Sequence, residues 1–128
     1  AQETNPREVV FNTDGTKMFV LGDAGQDVNE YTLSTGFDVS TASFVDSFSI
    51  SSQDTAPQSM AFNTDGTKMF MLGSTTDTVY EYDLSVGFDV SSASYSSTSF
   101  SVASEELAPT GIAFNSDGSK SIHAINWI

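Results

Sequence analysis

The sequence predicts an all-β protein made of repeated four-stranded antiparallel meanders, about two and a half per chain. Three observations lead there. First, Phe11-Asn-Thr-Asp-Gly-Thr-Lys-Met-Phe19 recurs unchanged as Phe62–Phe70, 51 positions later. A third copy begins at Phe114, 52 positions after the second. Self-similarity at such a period marks a repeat architecture. Second, Val, Phe, Tyr, Thr and Ser dominate while Leu, Lys and Arg are scarce, a strand composition with polar turns. Third, an Asp-Gly pair sits inside every copy, where two strands must reverse.

The match extends past the core. Leu21-Gly22 returns as Leu72-Gly73, Glu30-Tyr31 as Glu81-Tyr82, and Gly36–Ser40 as Gly87–Ser91. Pro6, Pro57 and Pro109 hold the same phase, and one residue is inserted near Ser96–Thr98. The repeats therefore run over about 1–51 and 52–103. A half repeat with a divergent tail covers 104–128.

Four strands are expected in each repeat. The first is Glu8–Asn12, with Ser59–Asn63 and Thr110–Asn115 as its copies. Asp-Gly then turns the chain, because both residues tolerate positive φ at low cost. The second strand is Lys17–Leu21 (Lys68–Leu72), and a Gly/Asp/Thr-rich loop follows. The third is Val28–Leu33 (Val79–Leu84). A connection through Gly36 or Gly87 leads to the fourth, Phe44–Ile50 (Tyr95–Val102). Strands one and two carry consecutive apolar residues and are expected to be covered on both faces. Strands three and four are more polar and are expected nearer the outside. One meander cannot bury two apolar faces, whereas stacked copies can. Four-stranded repeats with dry inner strands describe β-propeller-like blades.

The Phe-Asn-Thr-Asp-Gly-Thr-Lys-Met-Phe core and the following Asp77–Leu84 stretch resemble the bacterial YVTN/PD40-type (WD40-like) β-propeller repeats. The resemblance runs to about Lys120. It implies blades but no particular activity, since that group includes binding platforms and cofactor scaffolds. The Gly-Phe-Asp-Val-Ser segment departs from its short blades and lengthens this one.

Known propellers need about four blades to close a ring, and this chain carries fewer. The exposed stack ends and the unfinished repeat invite pairing with another copy, as a closed ring or an open fibre. A longer reading frame or a capping partner would also complete the stack. The self-association surface is expected at Ile112, Phe114, Ile122, Ile125, Trp127, Val9 and Phe11.

The net charge of −13 opposes nucleic acid and anionic lipid. No apolar run is long enough for membrane insertion as a helix. Without cysteine there is no disulfide, thiolate metal site or Cys nucleophile. A bacterial-type extracellular or secreted setting is expected.

The chemistry expected is non-enzymatic, with no cofactor. The single histidine, His123, has no placed partner, and the nucleophile-elbow, metal-pair and phosphate-loop motifs are missing. Asp14, Asp65 and Asp117 recur in Asn-x-Asp-Gly and are weak Ca²⁺ candidates; a hairpin-turn role suits them better. Asp38 and Asp89 are expected in turns, and Glu30 and Glu81 on a solvated face. Tyr31, Tyr80, Tyr82 and Trp127 form a possible ligand surface for a glycan, which makes a carbohydrate-binding propeller lectin the alternative. A lactonase-like hydrolase, which would need a metal, is a further one.

Overall fold

A computed structural model of the chain describes residues 1–115 and 117–119. Strands β1 (Pro6–Phe11), β2 (Lys17–Gly22), β3 (Asp27–Leu33) and β4 (Ala42–Ser49) form one sheet in the order β1-β2-β3-β4. Strands β5 (Pro57–Phe62), β6 (Lys68–Gly73), β7 (Thr78–Leu84) and β8 (Ala93–Ser101) form a second in the same order. All pairings are antiparallel between neighbours in sequence. Each sheet is one repeat, with strand limits within two residues of those expected.

The β1–β2 turn works as its sequence requires. Asn12 Oδ1 accepts the Lys17 amide at 2.9 Å, and Asp14 Oδ1 accepts the Thr16 amide at 3.0 Å and hydroxyl at 2.6 Å. Gly15 has φ +74°, and Gly66 in the second copy +73°. In each repeat the long connection closes over that turn: Phe88 donates its amide to Gly66 O at 3.0 Å, and Phe37 to Gly15 O at 3.0 Å. A Cβ on Gly66 would overlap the Phe88 ring and backbone nitrogen. Gly66→Ala is therefore expected to lose more than about 1 kcal/mol, combining left-handed strain with that overlap, as a thermal melt would read.

Of the second strands, β6 is covered on both faces, as expected: Met69 and Met71 are fully buried on one side and Leu72 on the other. In β2 only the side of Phe19 and Leu21 is fully buried, and Met18 and Val20 on the other are half-buried. The third strands differ from expectation. Val28, Asn29, Glu30 and Leu33 are buried in β3, so only β4 and β8 form the wet outer layer. Their polar residues find partners inside, which sequence polarity alone does not reveal. The inserted residue of the second repeat sits in a bulge. Between β3 and β4 the register slips at Val45 alone, while between β7 and β8 both Ser96 and Ser97 are passed over. Residues 110–115 are in no strand, contrary to expectation: they lie on β5 without a ladder.

The two sheets pack face to face, with β1 beside β5. Phe19, Leu21 and Val28 meet Met60, Met69, Met71 and Tyr82 in one cluster. A smaller cluster on the far side of the second sheet holds Leu72, Val79, Val102 and Ile112.

Asp54 pins the linker between the sheets. Its carboxylate accepts from Ala56 N at 2.8 Å, Thr76 N at 3.1 Å and Thr76 Oγ1 at 2.8 Å. Burial pushes this carboxyl up, but those donors outweigh it and hold it below its ordinary value. A depressed folded pKa contributes stability that is fully present above the unfolded value, about 4, and is lost as pH falls through the folded one. Asp54→Asn is expected to flatten the acid limb of the stability–pH curve, measured by urea unfolding between neutral and acid pH.

Candidate functional site

Two features stand out: a groove along the three copies of strand one, and the joint between the sheets. The groove has a volume of about 1000 Å³ and is lined by Val10, Phe11, Phe62, Lys68, Phe88 and Phe114, among others. Its carboxylates already accept hydrogen bonds from within the chain. Asp65 Oδ1 takes the Thr67 amide and hydroxyl, and Asp117 Oδ1 takes those of Ser119. The hydroxyl donors, followed by the amides, lower the pKa of Asp14, Asp65 and Asp117. These three calcium candidates thus act as turn acceptors in three separate turns. Among the described residues no group of three or more His, Cys, Asp or Glu is placed to hold a metal.

The joint is made by residues for which no partner role was expected. Lys17 Nζ donates to Glu30 Oε1 at 2.7 Å and reaches across to the Phe88 carbonyl at 2.6 Å. Glu30 Oε2 accepts the Val90 amide at 2.9 Å. The Glu30 side chain is 2 % exposed, which overturns its expected solvated face. A buried carboxylate needs such partners, and the repeat's own Lys and the neighbour's backbone supply them. Further in, Glu8 Oε2 accepts the Ser59 hydroxyl and the Met60 amide, both at 2.5 Å. The one available signal was the pairing of Lys17 with Glu30, and of Lys68 with Glu81, at matching positions in each repeat.

In the second repeat the same side chains face outward. Lys68 donates to Glu81 and, at 3.0 Å, to Asp83. These acceptors, Glu81 first, raise its pKa. The Glu81 side chain is 22 % exposed.

The expected association residues fall in three places. Val9 is half exposed on the open face of the first sheet, and Phe11 packs on Phe37 at 5.5 Å. Ile112 and Phe114 are instead occupied within the chain: Ile112 N donates to Ser59 Oγ at 3.1 Å, and Phe114 stacks on Phe70 at 4.5 Å. Ile122, Ile125 and Trp127 lie outside the described residues, as does His123. Of the proposed ligand tyrosines, Tyr82 is fully buried between the sheets, donating to Gln53 at 3.3 Å. That burial raises its pKa far above the ordinary value and removes it from any ligand surface. Tyr80 is half-buried with its hydroxyl on Thr76, and half-buried Tyr31 packs edge-on against Phe44 at 5.8 Å. Asp38 and Asp89 cap the single 3₁₀ turns Val39–Thr41 and Val90–Ser92, as a turn role requires.

No family model matches the chain, and no curated protein matches it significantly. Solved structures do. A putative 6-phosphogluconolactonase from Bacteroides fragilis NCTC 9343 superposes with a TM-score of 0.69 at 12 % identity over 91 % of this chain. A functionally unknown protein from Desulfotomaculum acetoxidans DSM 771 gives 0.59 at 14 % identity over 91 %. The chain spans 31 % of the length of each. At such identities the likeness is one of fold.

Proposed function

We propose that the chain is a non-enzymatic scaffold of YVTN/PD40-like propeller blades that self-associates into a ring or fibre, in an extracellular structural or binding role. The observation that carries this is the asymmetry between the two sheets. The face of the first sheet that lies inside the chain is dry, and its copy on the second sheet is only partly covered. Val9, Phe44, Phe37 and Val39 lie exposed on the first sheet or its connection. Their counterparts in the second repeat, Met60, Tyr95, Phe88 and Val90, pack into the central core. Surfaces built to be buried in one copy and left open in the other favour a further copy. The like-to-like stacking of first strands, β1 beside β5, supports a radial arrangement of blades. The commitment of the groove's carboxylates to turns supports a non-catalytic role.

Molar mass by light scattering over a concentration series, with electron microscopy of the largest species, tests the reading. A discrete oligomer or a polymer is the expected result. A monomer of 13.7 kDa at every concentration would overturn it. The glycan-binding alternative has lost Tyr82, and it returns only if a glycan array gives specific signals.

A further inference from the structure

We infer that the Lys68–Glu81 pair is a socket for the Phe37-Asp38-Val39 segment of a second copy of this chain, joined head to tail. This rests on the self-association reading above and specifies the joint. The template is the contact inside the chain. There, Lys17 and Glu30 grip the Phe88 carbonyl and the Val90 amide of the second repeat's long connection. Val90 is completely buried as a result.

Both halves of that contact occur a second time, unjoined among the described residues. Phe37-Asp38-Val39 repeats Phe88-Asp89-Val90 in sequence and in shape. Phe37 has φ 61° against 58° for Phe88, and both segments lead into a 3₁₀ turn capped by the aspartate. Yet Phe37 is 61 % and Val39 62 % exposed. The plug is thus already folded before it has a partner, which lowers the entropy cost of docking. Lys68 and Glu81 repeat Lys17 and Glu30 on the other end. With no described connection across them, Lys68 turns to Asp83, whose counterpart in the first repeat is Thr32.

The surrounding apolar residues match as well. Tyr82 packs edge-on against Phe48 at 5.6 Å inside the chain. Their counterparts at the open ends are Tyr31 and the 62 % exposed Phe100. The polar groups fit too: the Lys68 ammonium would receive a backbone carbonyl and the Glu81 carboxylate a backbone amide, as Lys17 and Glu30 do inside the chain. A contact between two different faces is heterologous, and it propagates as a ring or a filament.

Residues 109–115 hold the strand-one place on β5 and compete with β1 of the incoming copy. They make no ladder, whereas β1 is paired with β2 along its length, so β1 displaces them. Val9 and Phe11 then take over the contacts of Ile112 and Phe114.

The test uses the full chain and three variants, with light scattering for association and circular dichroism melts for folding. Val39→Asp spoils the plug and Lys68→Ala the socket; both residues are exposed enough for the fold to survive, and an unchanged melting temperature in the dilute monomer confirms it. Each variant alone is expected to associate at least about tenfold more weakly than wild type, since a buried contact at a joint's centre is lost. Mixed together, the two variants should form heterodimers and stop there, because each retains the half the other lacks. Phe114→Ala should associate more tightly, since it weakens the internal competitor. If wild type associates but Val39→Asp and Lys68→Ala do so unchanged, the socket is wrong and the self-association reading stands. If wild type stays monomeric at all concentrations, both fall. A Phe114→Ala variant that associates more weakly would place residues 109–115 in the joint and overturn the exchange.

Discussion

Phe19→Ala is expected to destabilise the fold by about 4 kcal/mol, while Phe70→Ala, at the same position of the next repeat, costs about half as much. The sequence around the two is the same, Lys-Met-Phe in both. The environments are not. Phe19 is fully buried, with Phe62 at 4.6 Å and Phe88 at 6.3 Å. Its removal leaves a cavity in the middle of the joint, walled by two rings of the second repeat that cannot both relax inward. Phe70 is half-buried and has the Phe114 ring at 4.5 Å, but among the described residues no long connection lies over it. Its loss is answered in part by water. At about 4 °C per kcal/mol for a chain of this size, thermal melts should separate the two variants by several degrees. The comparison belongs at high dilution, since association would protect the outer position. Equal losses would mean that Phe70 is as fully covered as Phe19 in solution.

The second large effect concerns Glu30. Glu30→Ala removes the acceptor for Lys17 Nζ and for the Val90 amide at once. The amide is left buried without a partner and the ammonium is only partly hydrated, for a loss of about 3 kcal/mol. Glu81→Ala removes the same carboxylate from a solvent-screened pair, and Lys68 keeps Asp83. A cost within about 1 kcal/mol is expected there. Urea unfolding of the two variants side by side measures the difference directly. Its size reports how much the neighbouring repeat, and not the residue, contributes. A Glu30→Ala variant as stable as wild type would mean that the inter-sheet bonds carry no net energy.

The strands and their order were legible because each rests on local chemistry. The Asn-x-Asp-Gly turn closes through atoms two and five residues apart, so its sequence is enough to place β1 against β2. Neighbouring apolar residues in Lys-Met-Phe-Met-Leu marked a strand covered on both faces, which β6 is. The 51-residue period fixed where one sheet ends and the next begins. The aspartates of Gly-Phe-Asp-Val-Ser were legible as turn formers for the same reason: their partners lie two residues on.

What the tertiary structure decided is which of two identical residues is inside. Glu30 and Glu81, Val39 and Val90, and Tyr31 and Tyr82 have matching local sequence, yet one member of each pair is buried and the other is not. A repeat sequence is periodic, but a stack with two ends is not. Burial depends on whether a neighbouring sheet stands on that side, and no residue within the repeat encodes it. For the same reason strand three looked polar and proved buried, because Lys17 and the Phe88–Val90 backbone that satisfy Glu30 come from a neighbouring strand and from the next repeat. The residues determined a stackable unit; only the stacking determined which of its faces is inside and which is outside.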